Sequence, residues 1–307
     1  MIHVQELTKT YDGYEALKGV SFSIKEGECY GLLGPNGAGK TTTISIMSSI
    51  LKPDSGDVFI NGRNIYTQAA ASKKEIGVVP QEIALYNELS ASDNLLFWGK
   101  MYGVPKKDLK VRMDELLNLL GLYERRNDKI GIYSGGMKRR INIAAALLHR
   151  PKVLFMDEPT VGIDPQSRNL IFEVVEKLHN QGITIVYTTH YMEEAERLCN
   201  RIGIIDNGKI IAEGTLDELK KNTNAKETIV VTFNNLDERN ALKIRSSWSD
   251  SKLFDNVVHF YTSDLKKGLP EIIARCHETE TDITNIEFLK VNLETVFLSL
   301  TGKQLRD

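Results

Sequence analysis

The chain lacks residues that would by themselves tie it to a membrane, a redox framework or a nucleic acid. No stretch approaches the roughly 18 uncharged apolar residues of a membrane span. The longest candidate, Ile141 to Leu148, is cut short by His149, Arg150 and Pro151. The N-terminus shows no basic region followed by an apolar run, so no secretory signal is expected. Cysteine is scarce: Cys29, Cys199 and Cys276 stand without CxxC spacing, which gives neither a disulfide framework nor a metal cluster. Charge of one sign is missing too. A net charge of -2 and a pI near 6.3 lack the basic footprint of a nucleic-acid binder. Cytosolic residence is the expectation, and any work at a membrane needs a partner chain.

What the chain has is enough apolar residue, 41% over 307 positions, for one large domain and a small one. Residues 1–220 read as alternating strands and helices. Cys29–Leu33 is a short apolar strand. A helix starts near Lys40 and carries Ile44, Ile46, Met47 and Ile50. Val153–Met156 and Ile183–Thr189 are further apolar strands. Continuous apolar runs of this kind mean a parallel sheet covered on both faces. Over about 82–150 the period becomes helical, in Leu89–Tyr102, Lys107–Leu120 and Met137–Leu148, which predicts a helical subdomain inserted into the α/β core. The polar stretch Lys220–Lys226 reads as a linker. Beyond it, strands at Thr228–Phe233, Asn256–Tyr261 and Ile283–Val291 and helices at Leu269–Cys276 and Leu293–Leu300 predict a small α+β domain over 227–307, with a ferredoxin-like arrangement as the candidate.

Gly34-Pro35-Asn36-Gly37-Ala38-Gly39-Lys40-Thr41 fits G-x-x-x-x-G-K-[ST] in full, between a strand and a helix. Glycines let the backbone wrap a phosphate with its amides pointing inward, and the helix N-terminus adds a favourable dipole. Lys40 would sit on the β/γ-phosphates and Thr41 would hold Mg²⁺, with Thr42 beside them as a further nucleotide-binding residue. A glycine-rich turn without function is the rival reading, and the strand–loop–helix context speaks against it. Downstream, Val153-Leu154-Phe155-Met156 runs into Asp157-Glu158. A carboxylate ending a buried strand beside a phosphate loop suits the metal, so Asp157 is the metal candidate. Glu158 would point the other way and polarise the attacking water, the base that phosphoryl transfer to water requires.

Tyr133-Ser134-Gly135-Gly136-Met137 opens a helix just before that strand. Here the chain resembles the ATP-binding cassette (ABC) ATPases, whose signature usually reads Leu-Ser-Gly-Gly-Gln; positions 134 to 136 match, and Tyr133 and Met137 depart. Ser134 starts its helix well downstream of Lys40 and need not reach the chain's own γ-phosphate. The resemblance implies that Ser134, Gly135 and Gly136 complete the site of a second cassette, in a head-to-tail dimer with two ATP molecules sandwiched. It further implies that Tyr11 stacks on adenine and that Gln81 contacts Mg²⁺ and senses a transmembrane partner. Asp164, in Val161-Gly162-Ile163-Asp164, would link the two sites, and His190 would be the switch that touches the γ-phosphate. A lone Tyr or His is more often simply packed; the order of the motifs carries these assignments.

The closing Asn292-Leu293-Glu294-Thr295-Val296-Phe297-Leu298, with Thr301-Gly302, resembles the cassettes of ABC-2 type exporters. The same residues also read as an amphipathic helix packed on the small domain. The implied protein is the ATP-hydrolysing subunit of an exporter, peripheral on the cytoplasmic face, acting through a separate transmembrane permease. Leu85–Ser90 and Phe97-Trp98 lie where the family docks that permease. The alternatives are a soluble ABC ATPase acting on ribosomes or nucleic acid, a P-loop kinase, and a binding module without turnover. The stretch from Lys40 to Ser134 is too short for the coiled coil of chromosome-organising members. The Ser134-Gly135-Gly136 signature and the Asp157-Glu158 pair speak against the kinase, and Lys40, Asp157, Glu158 and His190 together speak against a module without turnover.

Overall fold

The computed structural model describes residues 1–222, 227–236, 240, 243–244, 248, 250–262, 265–278, 281–289 and 291–301. The chain divides into two compact units, one over Met1–Leu216 and a second that begins at Asp217.

The first unit opens with strands rather than the expected strand–helix alternation. β1 (Ile2–Tyr11) and β2 (Tyr14–Ile24) form an antiparallel hairpin, and β4 (Ser55–Ile60) and β5 (Arg63–Asn64) extend it into a four-stranded sheet. The hairpin turns at Asp12-Gly13, both at positive φ (47° and 85°), the Asp-Gly signal of a tight hairpin. It places Tyr11 opposite Tyr14.

The second sheet has six strands in the order β10-β9-β3-β8-β7-β6. These are β3 (Cys29–Leu33), β6 (Ile76–Val79), β7 (Val153–Asp157), β8 (Thr184–Thr189), β9 (Arg201–Asp206) and β10 (Lys209–Gly214). All pairings are parallel except that of β10 with β9. Successive residues feed two cores. Leu154 and Met156 of β7 join Ile185 and Tyr187 of β8 in one, whereas Val153, Phe155 and Val186 point into the other. The second core also holds α1 (Lys40–Met47) and the antiparallel sheet. α1 ends earlier than its apolar residues suggest. Ser48 turns its hydroxyl back to the Ile44 carbonyl, Ser49 takes φ 60°, and Ile50 is left 68% exposed.

The helices that follow are α2 (Ala69–Lys73), α3 (Ala91–Met101), α4 (Lys106–Leu119), α5 (Gly135–Leu147), α6 (Pro165–Asn180), α7 (Met192–Leu198) and α8 (Leu216–Asn222). Between 82 and 150, α3, α4 and α5 pack together with two short 3-10 turns and no named strand. Ser90 starts α3 by accepting from the Asp93 amide. Lys220 and Lys221, read as linker, close α8, where cations favour the negative end of the helix. Residues 223–226 of the expected linker lie outside the described residues.

The second unit is a four-stranded antiparallel sheet in the order β12-β13-β11-β14: β11 (Glu227–Phe233), β12 (Ser251–Phe254), β13 (Val257–Thr262) and β14 (Ile283–Leu289). That order and pairing are those of a ferredoxin-like sheet. Ile229, Val231 and Phe233 alternate inward from β11 to meet Val258, Phe260 and, from α9 (Leu265–Glu278), Ile272 and Cys276. The closing helix α10 (Leu293–Thr301) buries Leu293, Val296 and Phe297. Gly302 lies outside the described residues, as does residue 290 of the expected strand Ile283–Val291.

Candidate nucleotide site

A cleft of about 330 Å³ is lined by Tyr11, Tyr14, Ala16, Asn36, Gly37, Gly39, Lys40, Thr41, Thr42, Gln81 and Glu158. The parallel strand β3 delivers the loop from Gly34 to Gly39, and α1 begins at Lys40. The loop needs its glycines for two different reasons. A Cβ on Gly34 would come within 2.2 Å of the Ile205 carbonyl oxygen, so the loop lies hard against β9. Gly39 holds φ 111° at the helix start, a conformation in which an L side chain is strained. Ala38 is buried and Pro35 contributes its carbonyl, so within this segment Asn36 and Gly37 are the exposed residues.

Lys40 is buried, and its ammonium donates to the carbonyls of Gly34 (2.8 Å) and Pro35 (3.0 Å). It also pairs with Glu158 Oε1 at 3.0 Å. Glu158 Oε2 faces His190 Nδ1 at 3.3 Å. The three residues expected to be catalytic are therefore joined through one carboxylate. Glu158 takes φ 43°, unusual for a glutamate, and its amide donates to the Thr188 hydroxyl (2.9 Å). Strain of this kind persists where the surroundings over-determine it and gathers at functional sites.

Asp157 ends β7, 4% exposed, and accepts from the Thr188 hydroxyl at 2.6 Å. Burial pushes its carboxyl above the ordinary range, against the bonds from Thr188 and Thr41 that pull it down. Thr41, Asp157 and Gln81 offer the oxygen donors that Mg²⁺ prefers, and Mg²⁺ commonly takes only one or two carboxylates plus phosphate oxygens. The donor set fits, although no cluster of three acidic, histidine or cysteine ligands exists among the described residues.

The signature residues stand apart from this cleft. Ser134 is exposed and caps α5, accepting from the Met137 amide at 3.3 Å. Gly135 is exposed as well. Gly136 is not: a Cβ there would lie 2.2 Å from the Ser167 side chain, so this glycine lets α5 close on α6. Asp164 caps α6 by accepting from the Ser167 amide at 2.9 Å, and that bond holds its carboxyl below the usual range.

Four residues of this region were not found by sequence reasoning. Tyr14, 58% exposed, lines the cleft beside Tyr11; the Asp-Gly turn between them was the available signal. Thr188 bridges Asp157 and the Glu158 amide. Arg139, buried on α5, donates to the carbonyls of Pro80 (2.6 Å) and Gln81. Glu194 gathers three hydroxyls behind His190. Nothing local in the sequence marks the last three.

Comparison with known proteins agrees with this geometry. Residues 17–161 match the ABC transporter family model. The chain is 46% identical over 314 residues to the linearmycin resistance ATP-binding protein LnrL of Bacillus subtilis, covering 100% of both. It is 38% identical to the Nod factor export ATP-binding protein I of Ralstonia nicotianae, covering 100% of this chain and 95% of that one. A solved dimer of the ATP-binding cassette MJ0796, in a post-hydrolysis state with ADP and Pi, superposes with a TM-score of 0.64 at 29% identity, over 70% of this chain and 98% of that one. The loop around Lys40, the Asp157-Glu158 strand end and the full-length likeness converge: the chain belongs to the ABC transporter family, as one of its ATP-hydrolysing cassettes.

Proposed function

We propose that this cassette energises an exporter: two copies close on two ATP molecules and drive a separate transmembrane permease from the cytoplasmic face. The observation that carries the dimer is the exposure of Ser134 and Gly135 at the start of α5, outside the chain's own cleft. A helix N-terminus with free amides is an anion site awaiting a ligand, and a second copy's γ-phosphate is the ligand this reading supplies. No described helix is long and apolar enough to cross a membrane, so movement of a substrate requires the permease.

In this reading Tyr11 and Tyr14 receive the adenine, and the amides from Asn36 to Thr42 cradle the phosphates. Lys40 leaves Glu158 for the β/γ-phosphates. Glu158, freed, turns its carboxylate to the attacking water, and His190 steadies the γ-phosphate. Thr41, Asp157 and Gln81 would hold Mg²⁺, which supplies charge neutralisation when bound. Asp164 is the residue proposed to face the partner cassette.

The permease is proposed to engage the helical subdomain. Tyr86 (49% exposed) and Leu89 (37%) stand at its surface, and Tyr86 is braced edge-on by Phe97 at 5.1 Å. Trp98 is tied down through its indole N–H to the Ala84 carbonyl. An aromatic group held rigid but left uncovered suits an interface. Resistance and export are what the relatives' names state, and they favour outward transport for this chain.

The deciding experiment is to tag the chain at its natural level, solubilise membranes in mild detergent and identify what copurifies. A polytopic membrane protein in stoichiometric yield is expected. A wholly soluble chain, or one found with ribosomes, would remove the transport reading and leave the ATPase.

A further inference from the structure

Glu194, on α7, is 2% exposed, yet no nucleotide motif claims it. One carboxylate oxygen accepts from the Thr160 hydroxyl at 2.7 Å. The other accepts from Tyr187 OH at 3.0 Å and Thr189 Oγ1 at 2.9 Å. Arg168 Nε of α6 stands 3.9 Å away. A hydroxyl has one proton to give, so each of the three is oriented by this carboxylate. The Tyr187 hydroxyl is pushed well above its ordinary pKa by burial and then by Glu194, and it stays protonated as a donor.

The donors come from two segments that the sequence separates. Thr160 lies two residues past Glu158 and opens the loop that ends at Asp164. Tyr187 and Thr189 end β8, and Thr189 immediately precedes His190. Having given its proton to Glu194, the Thr189 oxygen accepts from the Tyr191 amide at 2.9 Å. His190 is thereby clamped on both sides through one hydroxyl. Buried networks whose members are all satisfied are rigid, and they fail together when one member is removed.

We propose that Glu194 is a positioning residue for ATP hydrolysis: it fixes the Asp164 loop and the His190 segment as one unit, so that the contact across the dimer and the γ-phosphate contact are set together. The inference rests on the roles proposed above for Asp164 and His190.

The test uses the full-length protein and three variants besides the parent: Thr160→Val, Glu194→Gln, and the two combined. Thr160→Val is near-isosteric, so packing is kept while one strut is lost. Glu194→Gln keeps size but replaces an acceptor by a donor. Each single variant is expected to lower kcat about tenfold with KM for ATP within about threefold, and the double variant to lose no more than the worse single. His190→Ala serves as the control. If it loses turnover while Thr160→Val and Glu194→Gln retain it, the inference falls and the site reading stands. If His190→Ala itself turns over like the parent, the site reading falls first. Losses that simply add in the double variant also overturn the inference, because independent packing defects add and a shared strut does not.

Discussion

Lys40 and Glu158 form a buried ion pair at 3.0 Å, so the lysine proposed to grip phosphate lies against the carboxylate proposed to activate water. Each buried charge satisfies the other.

Glu158→Gln follows directly. With the competitor for Lys40 gone, ATP should bind as tightly as in the parent or several-fold tighter, while kcat falls by about a hundredfold or more, the range of a lost general base. Calorimetric titration beside a phosphate-release assay checks both. Turnover near the parent's would take the base role away from Glu158.

Asp157→Asn separates stability from metal use. The Asp157 carboxyl is raised by burial, so its charged form opposes folding at neutral pH, and that cost vanishes as pH falls through the folded pKa. The amide should therefore raise the melting temperature of the nucleotide-free protein near pH 7.5, with the gain shrinking toward acid. The same variant should lose the extra thermal stabilisation that Mg²⁺ adds to ATP. Thermal melts with EDTA or Mg²⁺, run from neutral pH down toward the ordinary carboxylate range, decide it; a lower nucleotide-free melting temperature at neutral pH would contradict the account.

The paired glycines should behave differently. Gly136→Ala places a methyl 2.2 Å from Ser167, and overpacking of this kind costs about 1–3 kcal/mol. Adding Ser167→Gly should restore part of the loss in melting temperature. At Gly135 a Cβ would meet only Ile163 Cδ1, at 3.7 Å. Gly135→Ala should melt like the parent and lose ATPase activity, as expected if phosphate from the second copy approaches there.

Tyr14→Ala should weaken ATP binding as Tyr11→Ala does. Stacking of a base on an aromatic ring contributes about 1–3 kcal/mol, so each loss is several-fold or more and Phe should substitute well. A fluorescent ATP analogue titrated against both variants measures this. If Tyr14→Ala binds normally, Tyr11 carries the adenine alone.

The parts legible in the sequence are those written locally. The phosphate loop, the Asp157-Glu158 strand end and the three helices of the subdomain each show within a dozen residues. The opening hairpin was not legible, because β1 is irregular: its register shifts between Val4 and Leu7, and Glu6 takes φ 45°. The apolar Ile2, Val4 and Leu7 therefore miss the period of two that marks a strand. That Gly136 packs against Ser167 was not legible either, because the signature pattern does not reveal what stands behind it. Glu194 was invisible for a similar reason, since its donors sit at 160, 187 and 189 and only the fold brings them to one carboxylate.

Arg139 gives the molecule a gear. Rooted on the helix that begins at Ser134 and hooked over the carbonyls of Pro80 and Gln81, it makes the glutamine loop and the signature helix turn on one axle. Gln81 also lines the chain's own cleft, so a movement there would be carried along α5 toward Ser134. If two such cassettes pair as proposed, a movement at one cleft would reach the nucleotide held in the other.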